Sequence, residues 1–296
     1  MMPLFHSFAA AMCPHLAANA AGTLVILPRY RPDWVVDAIE AEHVTRLPAG
    51  PTAFNSLLGY DGLARDRLAS VRCAYSGSAP LAAATLARWQ AATGIAVYEG
   101  YGQSEAGPVL TYQRPGAAAE LGSVGRALPG TAIEIVDAVD GVTPAAVGEI
   151  RARWPQLMTG YLNDPAATAE ALRGGWLYTG DIGHMDGDGD LFIDDRKKDM
   201  AIVGGYNVYP REIDEVLMTC PGVVEAAAVA IPDAYRGEVI RAFAVVDGTD
   251  AGAIAAHLAA NLVKYKQPAV IELLAALPRT AVGKVDKVAL RKWAVA

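Results

Sequence analysis

Cysteine is scarce in this chain, and the cysteine positions suit neither a disulfide framework nor a metal site. The 296 residues include three, Cys13, Cys73 and Cys220, with no CxxC pair among them. An odd number of widely separated cysteines favours free, buried thiols in a reducing compartment. We therefore expect a cytoplasmic protein without structural disulfides.

The sequence also lacks an uninterrupted apolar segment long enough to cross a membrane, so we expect no membrane span. Its amino-terminal segment is apolar, and Ala18-Asn19-Ala20 imitates a signal-peptidase site. However, no lysine or arginine precedes Arg29, and Pro14 interrupts the apolar run. Both features argue against a secretory signal.

Lysine is absent from the first 195 residues. The formal net charge of the chain is −7, which argues against nucleic acid as a general partner. Residues 1–195 contain twelve arginines and carry a net charge of −9, whereas residues 196–296 contain all seven lysines and carry +2. The composition changes at 196–199, which predicts a boundary between two domains, 1–195 and 196–296.

Motifs of several other enzyme classes are missing. The sequence contains no GxSxG elbow and no HExxH zinc helix. Asp186-x-Asp188-x-Asp190 imitates the start of a calcium loop, but Leu191 replaces the required glycine. Gly283-Lys284 lacks the serine or threonine that follows the lysine of a P-loop.

The first part of the chain alternates between helical and strand patterns. Helices are predicted at 9–21, 32–42 and 81–92, and strands at 23–27, 44–47 and 71–75. This alternation is typical of parallel strands covered by helices, with ligands bound at the carboxyl ends of the strands. We expect an α/β portion at 1–121, the remainder of a doubly wound sheet domain.

The rest of the chain shows two further patterns. Residues 122–195 predict a small β subdomain, with strands at 132–136 and 149–154, a short helix at 165–172 and a hairpin of 182–185 with 191–194. Residues 196–296 predict a smaller α+β domain, with helices at 210–217 and 251–262 and strands at 223–231, 239–246 and 269–274.

Two loops are expected at the carboxyl ends of strands. The first contains only small residues and proline, which let a flat ring or a phosphate approach the backbone, although taken alone the loop is better explained as an ordinary tight turn. It comprises Ser76, Gly77, Ser78, Ala79 and Pro80. In the second, 98–105, Tyr101 between glycines can stack on a base, Ser104 can donate to a phosphate oxygen, and Glu105 can hold Mg²⁺.

Three other places carry candidate ligand-binding groups. The segment 176–207 combines Asp181 and Arg196 with a glycine pair, which suits a polyhydroxylated, phosphorylated ligand. The carboxyl-terminal loop presents Lys284 just after a glycine. His6 lies among aromatic residues and either lines a ligand pocket or is a hydrogen-bonded core histidine.

Taken in order, six motifs resemble those of the adenylate-forming superfamily, in particular its fatty-acid and aryl-acid CoA ligases. They are SGSAP, YEGYGQSE, YTGD, DRKKD, GGYNVYP-x-EI and PRTAVGK, and they cover essentially the whole chain. Members of the family join a carboxylic acid to AMP by using ATP and Mg²⁺, and then transfer the acyl group to a thiol, usually that of coenzyme A. The resemblance implies the same cofactors here and a small carboxylic acid as substrate.

The resemblance also implies roles for individual residues. The nucleotide would be held by Ser76, Gly77, Ser78, Ala79, Pro80, Glu99, Gly100, Tyr101, Gly102, Asp181 and Arg196. Ser104, where the family more often has threonine, would meet the α-phosphate, and Glu105 would hold Mg²⁺. Lys284 would bridge the carboxylate and the α-phosphate. Lys198 would be the hinge of the second domain, Gly204 and Gly205 would form the pantetheine passage, and His6 would lie at the acyl pocket.

One departure from the family pattern concerns the Ser/Thr/Gly-rich loop that grips the outer phosphates of ATP. The family places it before the PLFH segment, which here is at residues 3–6. We therefore expect a chain that lacks the amino-terminal part of the family fold, is weak in adenylation and can be complemented by an amino-terminal fragment. Two alternatives stay open: loading of a carrier-protein phosphopantetheine, and a non-catalytic nucleotide- or acyl-CoA-binding module. An apolar slot for the acid is expected at Ala49, Gly50, Phe54, Tyr75 and Gly100.

Overall fold

A computed structural model describes residues 3–116, 121–281 and 283–295 of the chain. The fold divides into two compact units. Unit 1 comprises Met1–Thr179 and Gly183–Ile193, and unit 2 comprises Gly180–Ile182 and Asp194–Ala296. The α/β class predicted from the sequence is confirmed.

Unit 1 begins with a five-stranded mixed sheet in the order β1-β2-β3-β4-β5. Its strands are β1 (Arg46–Ala49), β2 (Cys73–Ser76), β3 (Val97–Tyr101), β4 (Thr111–Tyr112) and β5 (Arg126–Ala127). The first three are parallel, and β4 and β5 extend the sheet in antiparallel pairing. This topology places the ends of β2 and β3 side by side, where ligands bind in sheets of this kind.

Helices cover this sheet. They are α1 (Ser7–Ala10), α2 (Leu16–Asn19), α3 (Pro32–Glu42), α4 (Pro51–Leu58) and α5 (Ala83–Thr93), with a π-helical turn at Ala11–His15 between the first two. Val35, Val36 and Ile39 form the buried face of α3, as their spacing predicts. Phe54 of α4 packs edge-to-face on Trp89 of α5 with ring centroids 5.0 Å apart. Because Phe54 is fully buried in this core, its expected place in a substrate slot is wrong.

A second sheet has the order β10-β9-β7-β6, with β8 paired to β9. Its strands are β6 (Ala132–Val136), β7 (Val147–Arg153), β8 (Leu172–Arg173), β9 (Trp176–Met185) and β10 (Leu191–Arg196), and α6 (Pro165–Ala171) precedes β8. Strand β6 has the bounds that its alternating pattern predicts. Ile150, Ala152 and Leu177 are buried on one face of the sheet.

Unit 2 is built on a third sheet, ordered β12-β11-β14-β13 with β15 paired to β14. Its elements are β11 (Ala201–Val203), β12 (Tyr206–Val208), α7 (Pro210–Met218), β13 (Val223–Asp233), β14 (Gly237–Val246), α8 (Ala251–Asn261), β15 (Val270–Leu273) and α9 (Lys287–Val295). Ile213 of α7 and Ile254 of α8 belong to one apolar cluster. Leu290 of α9 packs in another cluster with Phe243.

Three expectations from the sequence need correction. Residues 23–27 lie in no strand, and no described strand pairs with them; β-branched composition alone does not form a strand without a partner. Residues 98–101, expected in a loop, belong to β3. All three cysteines are free, but only Cys73 and Cys220 are buried. Within the described ranges, no helix combines the length and apolar character needed to cross a membrane.

Candidate active site

The carboxyl end of β2 carries a buried polar group without a partner. Ser76 is fully buried, and its Oγ has no hydrogen-bond partner among the described residues. A buried hydroxyl without a partner costs about 1–3 kcal/mol. In the following loop, Ser78 has a φ of +72°, a conformation that non-glycine residues rarely adopt. An orphaned hydroxyl and a strained turn at the end of a parallel strand are features of ligand-binding loops.

Gly77 is required by packing within the protein. A Cβ at this position would lie 2.5 Å from a ring carbon of Phe8. The absence of a side chain therefore allows the Phe8 ring to lie directly on the loop. This contact brings the amino-terminal segment to the carboxyl end of β2, which the sequence did not predict.

His6 acts as a helix cap. Its Nδ1 accepts a hydrogen bond from the backbone N–H of Phe8 at 3.2 Å, at the start of α1. The next residue, Ser7, is hydrogen-bonded through its hydroxyl to that of Ser104 at 3.1 Å. The structure therefore brings the segment after His6 next to Ser104. No sequence motif indicates that Ser7 contacts Ser104, because the two serines are far apart in the sequence.

The glycines around Tyr101 are also required by packing. A Cβ at Gly100 would lie 2.3 Å from a ring carbon of Tyr112, and one at Gly102 would lie 2.0 Å from the carbonyl oxygen of Pro108. Glu99 is buried, and its backbone N–H donates to Oε1 of Gln113 at 2.8 Å. Internal packing therefore explains both glycines, and their presence is not by itself a sign of a ligand.

Glu105 lies in a 3-10 turn, Ser104–Ala106, and is held by a residue that sequence reasoning missed. Tyr161 donates its hydroxyl proton to Oε1 of Glu105 at 2.9 Å. The backbone N–H of Met158 donates to the carbonyl oxygen of Glu105, also at 2.9 Å. Burial, and then the bond to Glu105, raise the pKa of the Tyr161 phenol. The tyrosine thus orients one carboxylate oxygen.

Glu105 fits a magnesium ion that nucleotide phosphates help to hold. Among the residues that the structure describes, no group of three His, Cys, Asp or Glu side chains could hold a metal ion. Mg²⁺ with nucleotides is commonly bound by one or two carboxylates together with the substrate phosphates. The second oxygen of Glu105 has no hydrogen-bond partner in the described part of the chain. A single oriented carboxylate suits this mode of binding.

In unit 2, Asp181 and Arg196 form an ion pair. Arg196 Nε lies 2.8 Å from Oδ1 of Asp181, and the aspartate side chain is 5% exposed whereas that of the arginine is 52% exposed. The backbone N–H of Lys197 donates to the carbonyl oxygen of Gly180 at 2.9 Å. The middle of β9, which carries Asp181, and the end of β10, which carries Arg196, are therefore fixed next to each other.

Lys284 belongs to the same cluster. The side chain is partly buried, and burial together with the positive charge of Arg196 lowers its pKa, whereas Asp181 opposes the shift. The loop is a small hairpin with a bridge between Arg279 and Val285. Its Val282 lies outside the described residues. The structure thus brings together three residues that the sequence placed in separate motifs.

Two other predicted positions lie elsewhere in unit 2. Lys198 is exposed, in the turn that follows β10. Gly204 and Gly205 form the turn between β11 and β12, with φ of +58° and +88°. Gly204 borders a groove of about 320 Å³ that is also lined by Val203, Tyr206, Tyr235, Arg236 and Tyr265. The rings of Tyr206 and Tyr265 stack there, 4.5 Å apart.

Comparison with known families agrees with the motifs. The sequence profile of the AMP-binding enzymes matches residues 1–162, and that of the AMP-binding enzyme C-terminal domain matches residues 212–284. The chain belongs to the AMP-binding enzyme family. As in other AMP-binding enzymes, the part that matches the main profile precedes the part that matches the C-terminal profile.

Curated relatives of this chain include CoA ligases. It is 36% identical over 290 residues to a long-chain-fatty-acid–CoA ligase of Bacillus subtilis, covering 96% of this chain and 52% of that one. It is 38% identical over 291 residues to an indoleacetate–CoA ligase of Aromatoleum aromaticum, covering 97% and 57%. The chain therefore spans about half the length of the curated relatives that it matches.

Solved structures show the same relationship. The ATP-bound crystal structure of MatB from Rhodopseudomonas palustris matches with a TM-score of 0.93 at 34% identity. The match covers 98% of this chain and 58% of that one. The fold of this AMP-binding enzyme is thus that of adenylate-forming enzymes.

Proposed function

We propose that this chain carries the acid–thiol ligase chemistry of an acyl-CoA synthetase: activation of a carboxylic acid as its acyl-adenylate, followed by transfer to a thiol. The observation that supports it most directly is the cluster of Lys284, Asp181 and Arg196. These residues would bind the ribose of the nucleotide and neutralise the reacting phosphate.

The cluster in unit 2 suits the first half-reaction. The buried carboxylate of Asp181 would accept hydrogen bonds from ribose hydroxyls, and Arg196 would hold it in place through the 2.8 Å ion pair. Attack by the acid carboxylate on the α-phosphate brings two anions together. The ammonium group of Lys284 would stabilise the charge that develops in this transition state.

Unit 1 carries its own candidate nucleotide-binding residues. The loop from Ser76 to Pro80 would surround the adenine, and the unpartnered hydroxyl of Ser76 supports a polar ligand atom there. Ser104 would donate to an α-phosphate oxygen. Glu105, oriented by Tyr161, would hold Mg²⁺, which when bound neutralises charge on the phosphates.

The second half-reaction needs a thiol acceptor. We propose coenzyme A, with its pantetheine arm passing along Gly204 and Gly205, where open space lies beside the backbone. Loading of a carrier-protein phosphopantetheine would use the same thiol chemistry. Both acceptors are offered separately to the protein with a preformed acyl-adenylate. Acyl transfer to the carrier protein but not to coenzyme A would contradict the acceptor proposed here.

Binding of a non-reactive acyl-sulfamoyl adenylate, measured by calorimetry, tests the nucleotide site directly. We expect Asp181→Asn to weaken binding at least about tenfold, since it removes a charge-assisted acceptor. Asp188→Asn, in the exposed hairpin turn, is the matched control and leaves binding unchanged. Equal affinity in all three proteins would contradict the assignment of the ribose site.

Catalysis is tested by acid-dependent exchange of pyrophosphate into ATP. Lys284→Ala should abolish whatever exchange exists. Robust exchange in that variant would contradict the role of Lys284.

A further inference from the structure

One exposed face of the second sheet carries arginines that alternate with aromatic rings. Arg151 and Arg153 lie on β7, Arg173 lies on β8, and Trp176 and Tyr178 lie on β9. Their neighbours along the strands point into the core, so the alternation of a strand places these five side chains on the opposite face. We call these five residues the arginine–aromatic ladder.

The guanidinium groups of the ladder stack on its aromatic rings. The guanidinium carbons of Arg153 and Arg151 each lie 4.8 Å from the ring centroid of Trp176. Arg151 lies 5.9 Å from the ring of Tyr178, and Arg173 lies 3.5 Å from the same ring. Each distance is within the range of a cation–π contact. The face is therefore a continuous row of alternating cations and rings.

The middle of the ladder is braced by hydrogen bonds. Arg151 donates from Nε to Oε2 of Glu134 at 2.9 Å and from Nη1 to the Tyr178 hydroxyl at 3.0 Å. Tyr178 donates in turn to the carbonyl oxygen of Gly141 at 2.8 Å. Arg151 is thus neutralised by a carboxylate within the protein, and its role is to hold the two rings in place.

Arg153 and Arg173, at the two ends of the ladder, differ from Arg151 in the middle. The side chains of Arg153 and Arg173 make no ion pair and no hydrogen bond among the described residues. Both are exposed. Two unneutralised cations on one face stand out in a part of the chain, residues 1–195, that carries a net charge of −9. A guanidinium stacked on a ring loses little further freedom on binding, and its planar N–H groups match a carboxylate.

We propose that the arginine–aromatic ladder is a docking surface for an acidic segment of a partner protein, with one carboxylate at Arg153 and another at Arg173. Two rings separate these cations, so two spaced anionic groups match them better than one phosphate. The residue types agree, since tryptophan, tyrosine and arginine dominate binding energy at protein interfaces. Val139 and Val142, 94% and 65% exposed beside Gly141, add apolar surface at the edge.

Arginine and aromatic residues also bind single-stranded nucleic acid. The small number of unpaired cations on the ladder argues against this partner. Nucleic-acid affinity depends on neutralising several successive phosphates. The ladder offers only two unpaired cations, Arg153 and Arg173, which is too few to neutralise a run of successive phosphates. This docking surface is independent of the proposed ligase activity.

Fluorescence anisotropy with a labelled oligoglutamate peptide tests the proposal on the intact chain. We expect binding that weakens as salt rises, because the contacts are exposed. The double variant Arg153→Ala/Arg173→Ala should lose at least about tenfold in affinity. Arg65→Ala/Arg88→Ala removes two exposed arginines elsewhere in unit 1 and should retain the affinity. Arg153→Lys/Arg173→Lys should retain only part of the affinity, because the lysine ammonium group lacks the planar guanidinium that pairs with a carboxylate through two hydrogen bonds.

Three results would overturn the proposal. They are no binding of oligoglutamate, an equal loss in both alanine double variants, and tighter binding of an oligothymidylate or of inorganic phosphate to the ladder than of the peptide. Circular dichroism checks the fold of each variant. If the alanine variant is unfolded, Arg153→Gln/Arg173→Gln, which removes both charges but keeps a polar side chain with two methylene groups, provides the same comparison.

Discussion

At the scale of single residues, Lys284 has an electrostatic environment that differs from that of a surface lysine. Burial and Arg196 lower its pKa, and Asp181 opposes them. The lysine therefore loses its proton at a lower pH than a free lysine does. Any step that needs its positive charge should then fail on the alkaline side at a lower pH than an ordinary lysine would allow.

Two substitutions should move the pKa of Lys284 in opposite directions. Arg196→Gln removes a repelling cation and should raise it, whereas Asp181→Asn removes an attracting anion and should lower it further. NMR titration of ¹³C-dimethylated lysines measures both, with the Lys284 signal assigned by its absence in Lys284→Arg. Shifts of the same sign in both variants would show that the three groups do not interact as described.

Tyr161 is a positioning residue for Glu105. Tyr161→Phe removes only the hydroxyl that donates to the carboxylate, and one such hydrogen bond contributes about 1 kcal/mol. If Glu105 holds Mg²⁺, we expect the concentration of Mg²⁺ that half-saturates ATP binding to rise about fivefold. Binding of AMP without metal should not change.

The control for this prediction is Tyr235→Phe, because Tyr235 is 94% exposed. It removes a phenol hydroxyl of the same kind from the groove beside Gly204, which is not part of the proposed Mg²⁺ site. Equal effects of the two substitutions on Mg²⁺ dependence would contradict the positioning role of Tyr161. A fall in thermal stability alone would leave only a structural role for the Tyr161 hydroxyl.

At the scale of elements, an ion pair ties α7 to α9 in unit 2. Lys287 Nζ lies 2.8 Å from Oδ2 of Asp214, with side chains 24% and 21% exposed. Asp214 also accepts a hydrogen bond from the backbone N–H of Ala228 in β13. Burial raises the pKa of Asp214 to about 6, against the influence of Lys287. One carboxyl group therefore links two helices and a strand.

Lys287→Met should destabilise the protein by about 2–4 kcal/mol at pH 7.5, because it leaves a largely buried carboxylate without its partner. The loss should be smaller at pH 5, below the Asp214 pKa of about 6, where the carboxyl is mostly protonated. Chemical denaturation of the protein and the variant at both pH values measures this loss of stability. Lys292→Ala, an exposed lysine on the same helix, is the control. An equal loss for Lys287→Met at both pH values would contradict the pairing.

At the scale of the whole molecule, the chain has two compact units. Residues 197–199 follow β10, near the start of the segment Asp194–Ala296 of unit 2. We propose that Lys198 is a hinge residue. The backbone N–H of Lys198 makes no hydrogen bond among the described residues, whereas that of Lys197 donates to Gly180. Proline lacks a backbone N–H and fixes φ near −65°. Proline at Lys197 should therefore break a hydrogen bond, whereas proline at Lys198 should only restrict the backbone.

Lys198→Pro should preserve thermal stability and the affinity for the acyl-adenylate. It should change the rate at which the acyl group is transferred from a preformed acyl-adenylate to the thiol. Lys197→Pro should lower thermal stability, since it breaks a backbone hydrogen bond. Calorimetry and the transfer assay separate the two effects. Unchanged transfer in a stable Lys198→Pro protein would contradict the hinge.

Much of the fold could be predicted from local patterns. Helix α3 has its predicted bounds, Pro32–Glu42, because Pro32 suits the first turn and the apolar residues follow a helical period. Helix α4, Pro51–Leu58, is not among the predicted helices although it also begins with proline, and its Phe54 is buried in the core instead of lining an apolar slot. Residues 23–27 have strand composition but lie in no strand, because strand formation depends on a neighbouring strand.

The sequence by itself determined which chemical groups are present and in what order, because motif identity and helical or strand period are local properties. Only the tertiary structure decided which groups meet. It placed Tyr161 on Glu105, Lys284 beside Arg196 and Asp181, and two unpaired arginines on stacked rings. These contacts join residues far apart in the chain, and their pairing depends on how sheets and helices pack rather than on local propensity.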